Sequence, residues 1–384
     1  GGETARGSRA ELVFLGTGAS MPAKYRNVSG LLLLMEGASH VAADAAEMPQ
    51  GAAAAAAPAA ASPCAALAAP AHPAHLAHPA PSAPLPSAVC DAAATAAASA
   101  PPLTAEAARA GASSAVEGAS AGLLFDVGEG ALGALRRRFG EEAAAVVCGL
   151  QLAWISHMHA DHHLGLVHIL QLRSALAPGR PLLVVGPLAL RSWLREAAAT
   201  LEAAVEFRWV HCAAVSSDAA VSAALRRCGG VWMRAARATH CSDAWAVALQ
   251  HAHGWGLVYS GDTRPCEAVT RLGNALRSEC RILVHEATFD DSPEMQREAL
   301  AKRHSTVSEA LQIGASMSAW RVILTHFSQR YPKIADVGVA AVQDALLAFD
   351  HMRMPFALLP YLPQLSPALE CLFADELRAG GEEA

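Results

Sequence analysis

One stretch of low complexity limits how this chain can fold. Residues 36–121 are dominated by alanine, proline, histidine and serine, with almost no aromatic side chains. Such a segment cannot offset its conformational entropy by burying apolar surface, so we expect it to be disordered. Strand-like runs precede it and resume after it at "GLLFDVGEG". We therefore predict one domain made of residues 1–35 and 122–384, with residues 36–121 as an insertion.

Outside the insertion, strand-like and helical segments alternate along the chain. Examples are the strand-like "LQLAWIS", the helical "LGLVHILQLRSAL" and the strand-like "PLLVVGP". This alternation is typical of a layered α/β protein whose sheets are covered by helices. No apolar run reaches the roughly 18–20 residues that a membrane helix needs, so no membrane partner is expected.

Charge and cysteine content limit the partners and the compartment. The net charge is −6, but 28 basic and 29 acidic residues lie outside residues 36–121, so the charge does not exclude an RNA partner. The nine cysteines form no C-x-x-C pair, which indicates free thiols in an intracellular, reducing compartment. Because the chain begins with Gly1, we expect it to be a portion of a longer protein.

Histidines and acids directly follow several predicted strands. The segment "ISHMHADHHLGL" holds five potential metal ligands in seven positions. Later strand-like runs end at His240, Asp262, Glu286 and His326. Because side chains at the carboxyl ends of strands meet at one edge of an α/β sheet, we expect these groups to converge.

Imidazole and carboxylate groups are the ligands expected for Zn²⁺. A carboxylate such as Asp262 could bridge two cations because it has two oxygens. Two ions ~3.5–4 Å apart lower the pKa of a shared water and stabilise both the attacking and the leaving oxygen in a displacement reaction. The residues alone therefore predict a two-metal hydrolase of unspecified substrate.

The H-x-H-x-D-H signature resembles that of the metallo-β-lactamase superfamily, whose members act on several substrate classes. Further motifs in order are "PAKYRN", "VYSGDTRP", "LVHEAT", "KRHSTVSEA", "ILTHF" and "AFDHMRM". Together they resemble the catalytic carboxyl-terminal half of long-form tRNase Z, a family of zinc endonucleases that remove 3′ trailers from precursor tRNA. The resemblance covers residues 11–35 and 122–375. It implies a metallo-β-lactamase fold, a four-layer αββα sandwich of two packed mixed sheets.

The resemblance also implies two Zn²⁺ ions per site, with Mn²⁺ or Fe²⁺ as alternatives. The implied ligands are His157, His159 and His240 for one ion, Asp161, His162 and His326 for the other, and Asp262 between them. A hydroxide between the metals would attack the scissile phosphorus, and Asp161 would orient or deprotonate it. His163 is left outside the ligand set.

Two further motifs supply a candidate proton donor. Thr306 and Glu309 predict a capping box, which places His304 just before a helix N-terminus. There His304 could protonate the departing ribose 3′-oxygen while Glu286 orients it. The alternative is that Glu286 and His304 form a purely structural polar pair.

The "PAKYRN" turn supplies candidate substrate contacts. Lys24, Arg26 and Asn27 are donors in a turn that we expect to be too polar for the core, so they suit phosphate or ribose contact. The alternative is a solvated charged loop.

We therefore predict an endoribonuclease that hydrolyses the phosphodiester 3′ of the discriminator nucleotide of precursor tRNA and leaves a tRNA 3′-OH. The alternatives are another hydrolase of this fold acting on a small ester or phosphodiester, a non-catalytic RNA-binding module, and a fragment inactive without its amino-terminal half. No extended basic arm lies between His163 and His240. We accordingly expect a monomer that lacks its amino-terminal half rather than a homodimer. The sequence does not distinguish nucleus, mitochondrion and plastid.

Overall fold

The computed structural model describes residues 2–6, 8–23, 26–36, 121–201, 205–331 and 345–362. Apart from its end residues Glu36 and Ala121, the predicted insertion lies outside the described residues, and so does Lys24. Two mixed sheets account for the described strands. The predicted α/β class is confirmed.

The first sheet has seven strands and contains the first and the last of the described strands. In spatial order they are β13 (Arg353–Pro355), β1 (Glu11–Gly16), β2 (Gly30–Met35), β3 (Ala121–Val127), β4 (Leu150–Trp154), β5 (Leu182–Gly186) and β6 (Phe207–His211). The pairs from β13 to β3 are antiparallel, and those from β3 to β6 are parallel.

The second sheet has six strands. In spatial order they are β12 (Ala345–Leu347), β11 (Arg321–Thr325), β10 (Cys280–Glu286), β9 (Trp255–Tyr259), β8 (Trp245–His251) and β7 (Gly230–Arg237). The pairs from β12 to β9 are parallel, and β9, β8 and β7 form an antiparallel meander.

Helices connect and cover the sheets. Within the described residues the α-helices are α1 (Gly2–Arg6), α2 (Ala131–Phe139), α3 (Ala143–Gly149), α4 (Ala160–His163), α5 (Leu166–Leu176), α6 (Leu188–Thr200), α7 (Ala219–Arg227), α8 (Glu267–Asn274), α9 (Pro293–Lys302) and α10 (Val307–Ser316). Short 3₁₀ turns occur at Gly140–Glu142, Cys212–Ala214 and Phe356–Tyr361. None of the described helices has the length and apolar content needed to cross a membrane.

Three apolar layers hold the sandwich together, and strand alternation explains them. Leu12 and Phe14 of β1 point to the core between the sheets, whereas Val13 packs on the outer face. The outer layer of the first sheet packs against α2, α5 and α6, and that of the second sheet packs against α8 and α10. Both faces of each sheet are thus covered by apolar packing, which is the predicted four-layer arrangement.

The predicted insertion interrupts a single antiparallel pair of strands. β2 ends at Met35 and β3 begins at Ala121, and these two residues are partners in the ladder. The two strands pair along their whole length, with a register shift only between Gly30 and Leu31. The fold therefore continues across the predicted insertion as a β-hairpin.

Candidate metal centre

The residues that end the strands come together at one edge of the sandwich. The loop after β4 carries His157 and His159 and leads into α4, which carries Asp161 and His162. Four other segments contribute from later in the chain: His240 follows β7, Asp262 follows β9, Glu286 ends β10 and His326 follows β11. The expected convergence of these side chains is present in the fold.

A first group contains His157, His159, His240 and Asp262, whose ligand atoms lie within 4.8 Å of one another. Nε2 of His240 is 3.0 Å from Nδ1 of His159. Oδ2 of Asp262 is 3.6 Å from Nε2 of His157 and 3.8 Å from Nε2 of His240. Three imidazoles and one carboxylate oxygen therefore surround one small space.

A second group contains Asp161, His162 and His326, again within 4.8 Å. Nε2 of His326 is 3.4 Å from Oδ2 of Asp161 and 3.3 Å from Nε2 of His162. Oδ2 of Asp161 also accepts a hydrogen bond from the Ser20 N–H at 2.7 Å, which fixes the carboxylate from the β1–β2 loop.

Asp262 lies between the two groups. Its Oδ1 is 3.4 Å from Nε2 of His326, and its Oδ2 is 3.3 Å from Nε2 of His162 as well as 3.6 Å from His157. Both carboxylate oxygens of Asp262 therefore face the second group, and Oδ2 also faces the first. A carboxylate in this position can contact a cation in either group.

Asp126, near the end of β3, orients two of the histidines, one directly and one through Ser156. This fully buried carboxylate accepts hydrogen bonds of 2.7 Å from the Ser156 hydroxyl, from Nδ1–H of His162 and from the Tyr259 hydroxyl. Since Ser156 donates to Asp126, its oxygen accepts from Nδ1–H of His157 at 3.0 Å. Both histidines are thereby held with Nε2 pointing into the site.

His157 provides a test of whether the site fits a metal. Its Nε2 is completely buried and makes no hydrogen bond within the described structure. A buried imidazole nitrogen without a partner is costly unless something binds it. Burial, with help from His162, also holds the pKa of His157 well below its usual value, so the ring is neutral. Neutral imidazoles and carboxylates without thiolates suit Zn²⁺ with an open position for a reactant.

The carboxylates are ready to bind cations. Burial by itself would raise the pKa of Asp262, but His162 and His326 outweigh it and hold this pKa well below the usual range. The same balance, with His162 as the main opposing group, lowers the pKa of Asp161. Both groups are therefore anionic at neutral pH.

Glu286 and His304 form a pair beside the metal groups. Oε1 of Glu286 is 2.9 Å from Nδ1 of His304, whose ring packs against the rings of His240 and His326. Burial disfavours a charged His304, but Glu286 outweighs it and raises the pKa of His304 to about 9. At neutral pH His304 therefore carries a proton next to the site.

The predicted capping box is confirmed. The Thr306 hydroxyl accepts from the Glu309 N–H at the start of α10, and Glu309 accepts from the Thr306 N–H at 2.9 Å. Arg264 joins this turn to the loop after β9, since it donates to Glu309 and to the His304 carbonyl, each at 2.7 Å. These bonds fix the backbone that carries His304.

The turn that contains Arg26 is less polar than the sequence indicates. Arg26 is only 4% exposed; it donates to the Thr17 hydroxyl at 2.8 Å and lies over the Phe327 ring at 4.6 Å. Burial lowers its pKa to about 10, partly offset by Asp350. The premise that this turn is too polar for the core is therefore wrong for Arg26. Its guanidinium packs inside the protein and is not exposed for a direct contact with RNA.

Asp350, in the "AFDHMRM" motif, ties this turn to the rest of the fold. Its carboxylate accepts from the Asn27 N–H and from both the N–H and the hydroxyl of Thr17, the latter two at 2.9 and 2.8 Å. The Asn27 side chain is partly exposed and lies near Gly130, at the start of α2. Sequence reasoning missed Asp350, although an acid inside an apolar motif is a usable signal.

His163 lies outside both metal groups. Its Nδ1 is 2.8 Å from the His159 carbonyl, and its ring contacts Trp193 edge-on with centroids 4.6 Å apart. It therefore supports the ligand loop. Sequence reasoning also missed Asp126, Ser156 and Tyr259; the signal for Asp126 was an acid ending a buried apolar strand.

Comparison with known proteins agrees with this arrangement. The beta-lactamase superfamily domain matches residues 122–327. The chain therefore belongs to the metallo-β-lactamase superfamily.

Particular relatives narrow the comparison. The chain is 38% identical over 270 residues to the rat protein "Zinc phosphodiesterase ELAC protein 2", covering 66% of this chain and 32% of that protein. It is 34% identical over 309 residues to "tRNase Z TRZ3, mitochondrial" of Arabidopsis thaliana, covering 66% and 34%. The chain thus spans about a third of the length of these relatives. A long-form RNase Z from yeast has the same fold, with a TM-score of 0.66 at 20% identity, covering 98% of this chain and 45% of that one.

Proposed function

We propose that this chain is the catalytic part of a zinc-dependent endoribonuclease of the tRNase Z type. It would hydrolyse the phosphodiester 3′ of the discriminator nucleotide of precursor tRNA and leave a tRNA 3′-OH. The observation that carries the proposal is the pairing of two metal-binding groups around Asp262 with a protonated His304 at their edge. The printed names of the rat and Arabidopsis relatives support the substrate class.

The proposed metal content is two Zn²⁺ ions, one in each group. The ligands would be His157, His159 and His240 in the first group, Asp161, His162 and His326 in the second, and Asp262 between them. Zinc in these positions supplies Lewis-acid stabilisation of the phosphate and a lowered pKa for a bound water. Mn²⁺ and Fe²⁺ accept the same ligands.

The protein's own groups would handle the protons. Asp161 is anionic and belongs to the second group, where it can orient a water or accept its proton. His304 carries a proton beside Asp262 and His326 and can give it to the departing ribose 3′-oxygen. Glu286 keeps His304 oriented through the bond to Nδ1. The proposed acid, His304, thus comes from the loop before α10, and the proposed base, Asp161, comes from α4.

Among the proposed substrate contacts, Asn27 is the one that the described geometry favours, because its side chain is partly exposed, near Gly130 at the start of α2. Arg26 would act from inside the fold by holding this turn. Lys24 stays a prediction from the sequence. We keep a monomer completed by an amino-terminal half as the proposed state, in line with the third of each relative's length that the chain covers.

The compartment is proposed only in general terms. The six cysteines in the described residues are free thiols, which suits a reducing compartment. An organelle is one candidate, since two Arabidopsis relatives are named as mitochondrial.

The test uses the purified chain, a precursor tRNA with a 3′ trailer, and added zinc or chelator. We expect one cut after the discriminator nucleotide that disappears with chelator and falls by several orders of magnitude in Asp161→Ala. Glu141→Ala, an exposed acid in the turn before α3, is the matched control and should cleave like the parent.

Two results would contradict the proposal. Zinc-dependent hydrolysis of thioesters or small phosphodiesters without RNA cleavage would assign a different hydrolase. Full RNA cleavage by Asp161→Ala would exclude Asp161 from the mechanism. A chain that cleaves only after an upstream half is added would locate part of the binding energy in that half.

A further inference from the structure

Thr288 lies between the proton-donor pair and the second metal group. Its hydroxyl oxygen is 2.6 Å from Oε2 of Glu286, 2.9 Å from Nδ1 of His326 and 3.2 Å from Nδ1 of His304. The residue is 3% exposed, so water does not compete at this point. A single hydroxyl therefore contacts the carboxylate, the proton donor and a metal-binding histidine.

The proton positions at Thr288 follow from counting donors. Glu286 accepts from the N–H groups of Thr263, Thr288 and Ser305 and from Nδ1 of His304. A carboxylate surrounded by donors is ionised. Burial alone would raise the pKa of Glu286, but His304 outweighs burial and holds this pKa below its usual value. An ionised carboxylate can only accept, so the Thr288 hydroxyl donates its one proton to Glu286.

The orientation of His326 is then fixed. Because the Thr288 oxygen has given its proton to Glu286, it can only accept at its short contact with His326. Nδ1 of His326 must therefore carry the proton that it donates to Thr288, and Nε2, on the far side of the ring, faces Asp161 and His162. With Nδ1 occupied in this way, Nε2 is the nitrogen that is left to bind a metal.

We propose that Thr288 is a positioning residue. Its hydroxyl bonds to both Glu286 and His326, so that one carboxylate orients the proton donor directly and a metal ligand through the hydroxyl. The inference rests on the proposed function for the role of His304 but not for the role of His326. A hydroxyl in this position orients the imidazole and makes it a stronger ligand, as a direct carboxylate contact would.

The other side of the site has the same arrangement. There Asp126 contacts His162 directly and reaches His157 through the Ser156 hydroxyl. In each case one buried carboxylate contacts one histidine directly and a second through a hydroxyl. Because the same arrangement occurs at the ends of β3 and β4 in the first sheet and of β10 in the second, it supports an orienting role for the hydroxyl rather than incidental packing.

The experiment measures zinc binding to the metal-free chain by competition with a coloured chelator, without RNA. Thr288→Val keeps the shape and removes the hydroxyl, whereas Thr288→Ser keeps the hydroxyl and removes a methyl group. We expect Thr288→Val to weaken the affected zinc site about 10–100-fold, and Thr288→Ser to stay within about threefold of the parent. Thr325→Val is the matched control and should bind zinc like the parent. Within the described residues the Thr325 hydroxyl makes no hydrogen bond, and the substitution keeps the carbonyl that accepts from the Ala287 N–H at 2.8 Å.

Two outcomes would overturn the inference: equal zinc affinity in Thr288→Val and the parent, or weaker binding in Thr288→Ser than in Thr288→Val. If Thr288→Val does not fold, as judged by circular dichroism, the comparison of Thr288→Ser with Thr288→Ala decides in the same way. Because the measurement contains no RNA, failure here is separate from failure to cleave precursor tRNA. A chain that binds zinc as expected but cuts no RNA would contradict only the proposed function.

Discussion

Asp126→Asn is the substitution for which the structure allows the most detailed prediction. The carboxylate accepts four hydrogen bonds of 2.7 Å, three at Oδ2 and one, from the Ser156 N–H, at Oδ1. An asparagine has one accepting oxygen, and its best orientation places that oxygen where Oδ2 was. Three charge-assisted bonds then become neutral, at a cost of about 1 kcal/mol each. Two buried donors, the amide NH₂ and the Ser156 N–H, face each other unpaired, at about 1–3 kcal/mol each.

The free energy of unfolding should therefore fall by about 5–9 kcal/mol, a large part of the 5–15 kcal/mol typical of a domain. Urea unfolding followed by circular dichroism measures this loss. Tyr259→Phe is the graded control: it removes one donor and leaves the carboxylate with three, for a loss of about 1.5–3 kcal/mol. The reasoning is refuted if Asp126→Asn lies within about 1 kcal/mol of the parent, or if it is less destabilised than Tyr259→Phe.

Three other predictions concern different parts of the molecule. Gly128→Ala should weaken zinc binding in chelator competition, because its Cβ would lie 2.3 Å from the Asp161 carbonyl oxygen; Gly133→Ala, on a helix with only a flexible arginine nearby, should bind zinc normally. Arg26→Met should lower the urea midpoint yet leave the salt dependence of RNA affinity unchanged, since the charge that it removes is buried; a shallower salt slope would show that Arg26 contacts phosphate directly. Burial lowers the pKa of His251 to about 4, so as the pH falls the unfolded chain binds a proton at this histidine before the folded chain does. The free energy of unfolding should accordingly fall by up to about 3 kcal/mol as pH drops from about 6.5 to 4, and His251→Gln, followed by urea unfolding across this range, should lose that part of the slope; an unchanged slope would contradict the assignment.

The sequence predicted those parts of the site that depend on local pattern and strand order. His240, Asp262 and His326 were found because each directly follows a strand, and parallel strands bring their carboxyl ends together. The capping box of Thr306 and Glu309 was found because it depends on a spacing of three residues.

The parts that escaped prediction depend on contacts between distant segments. Arg26 is buried because Phe327 and Asp350, more than 300 residues later, pack around it. Thr288 was visible in its motif, but its role depends on the proton balance at Glu286, which needs the positions of five donors. Residue type and spacing do not contain that information.

The pairing of Met35 with Ala121 has a consequence for how the domain could be assembled. β1 and β2 join the first sheet through backbone pairing, and the chain leaves the sheet at Met35 and re-enters it at the directly opposite Ala121. Residues 1–35 could therefore be supplied as a separate peptide that binds the remainder as a ligand would. Its dissociation constant would report how strongly these two strands hold the sandwich together.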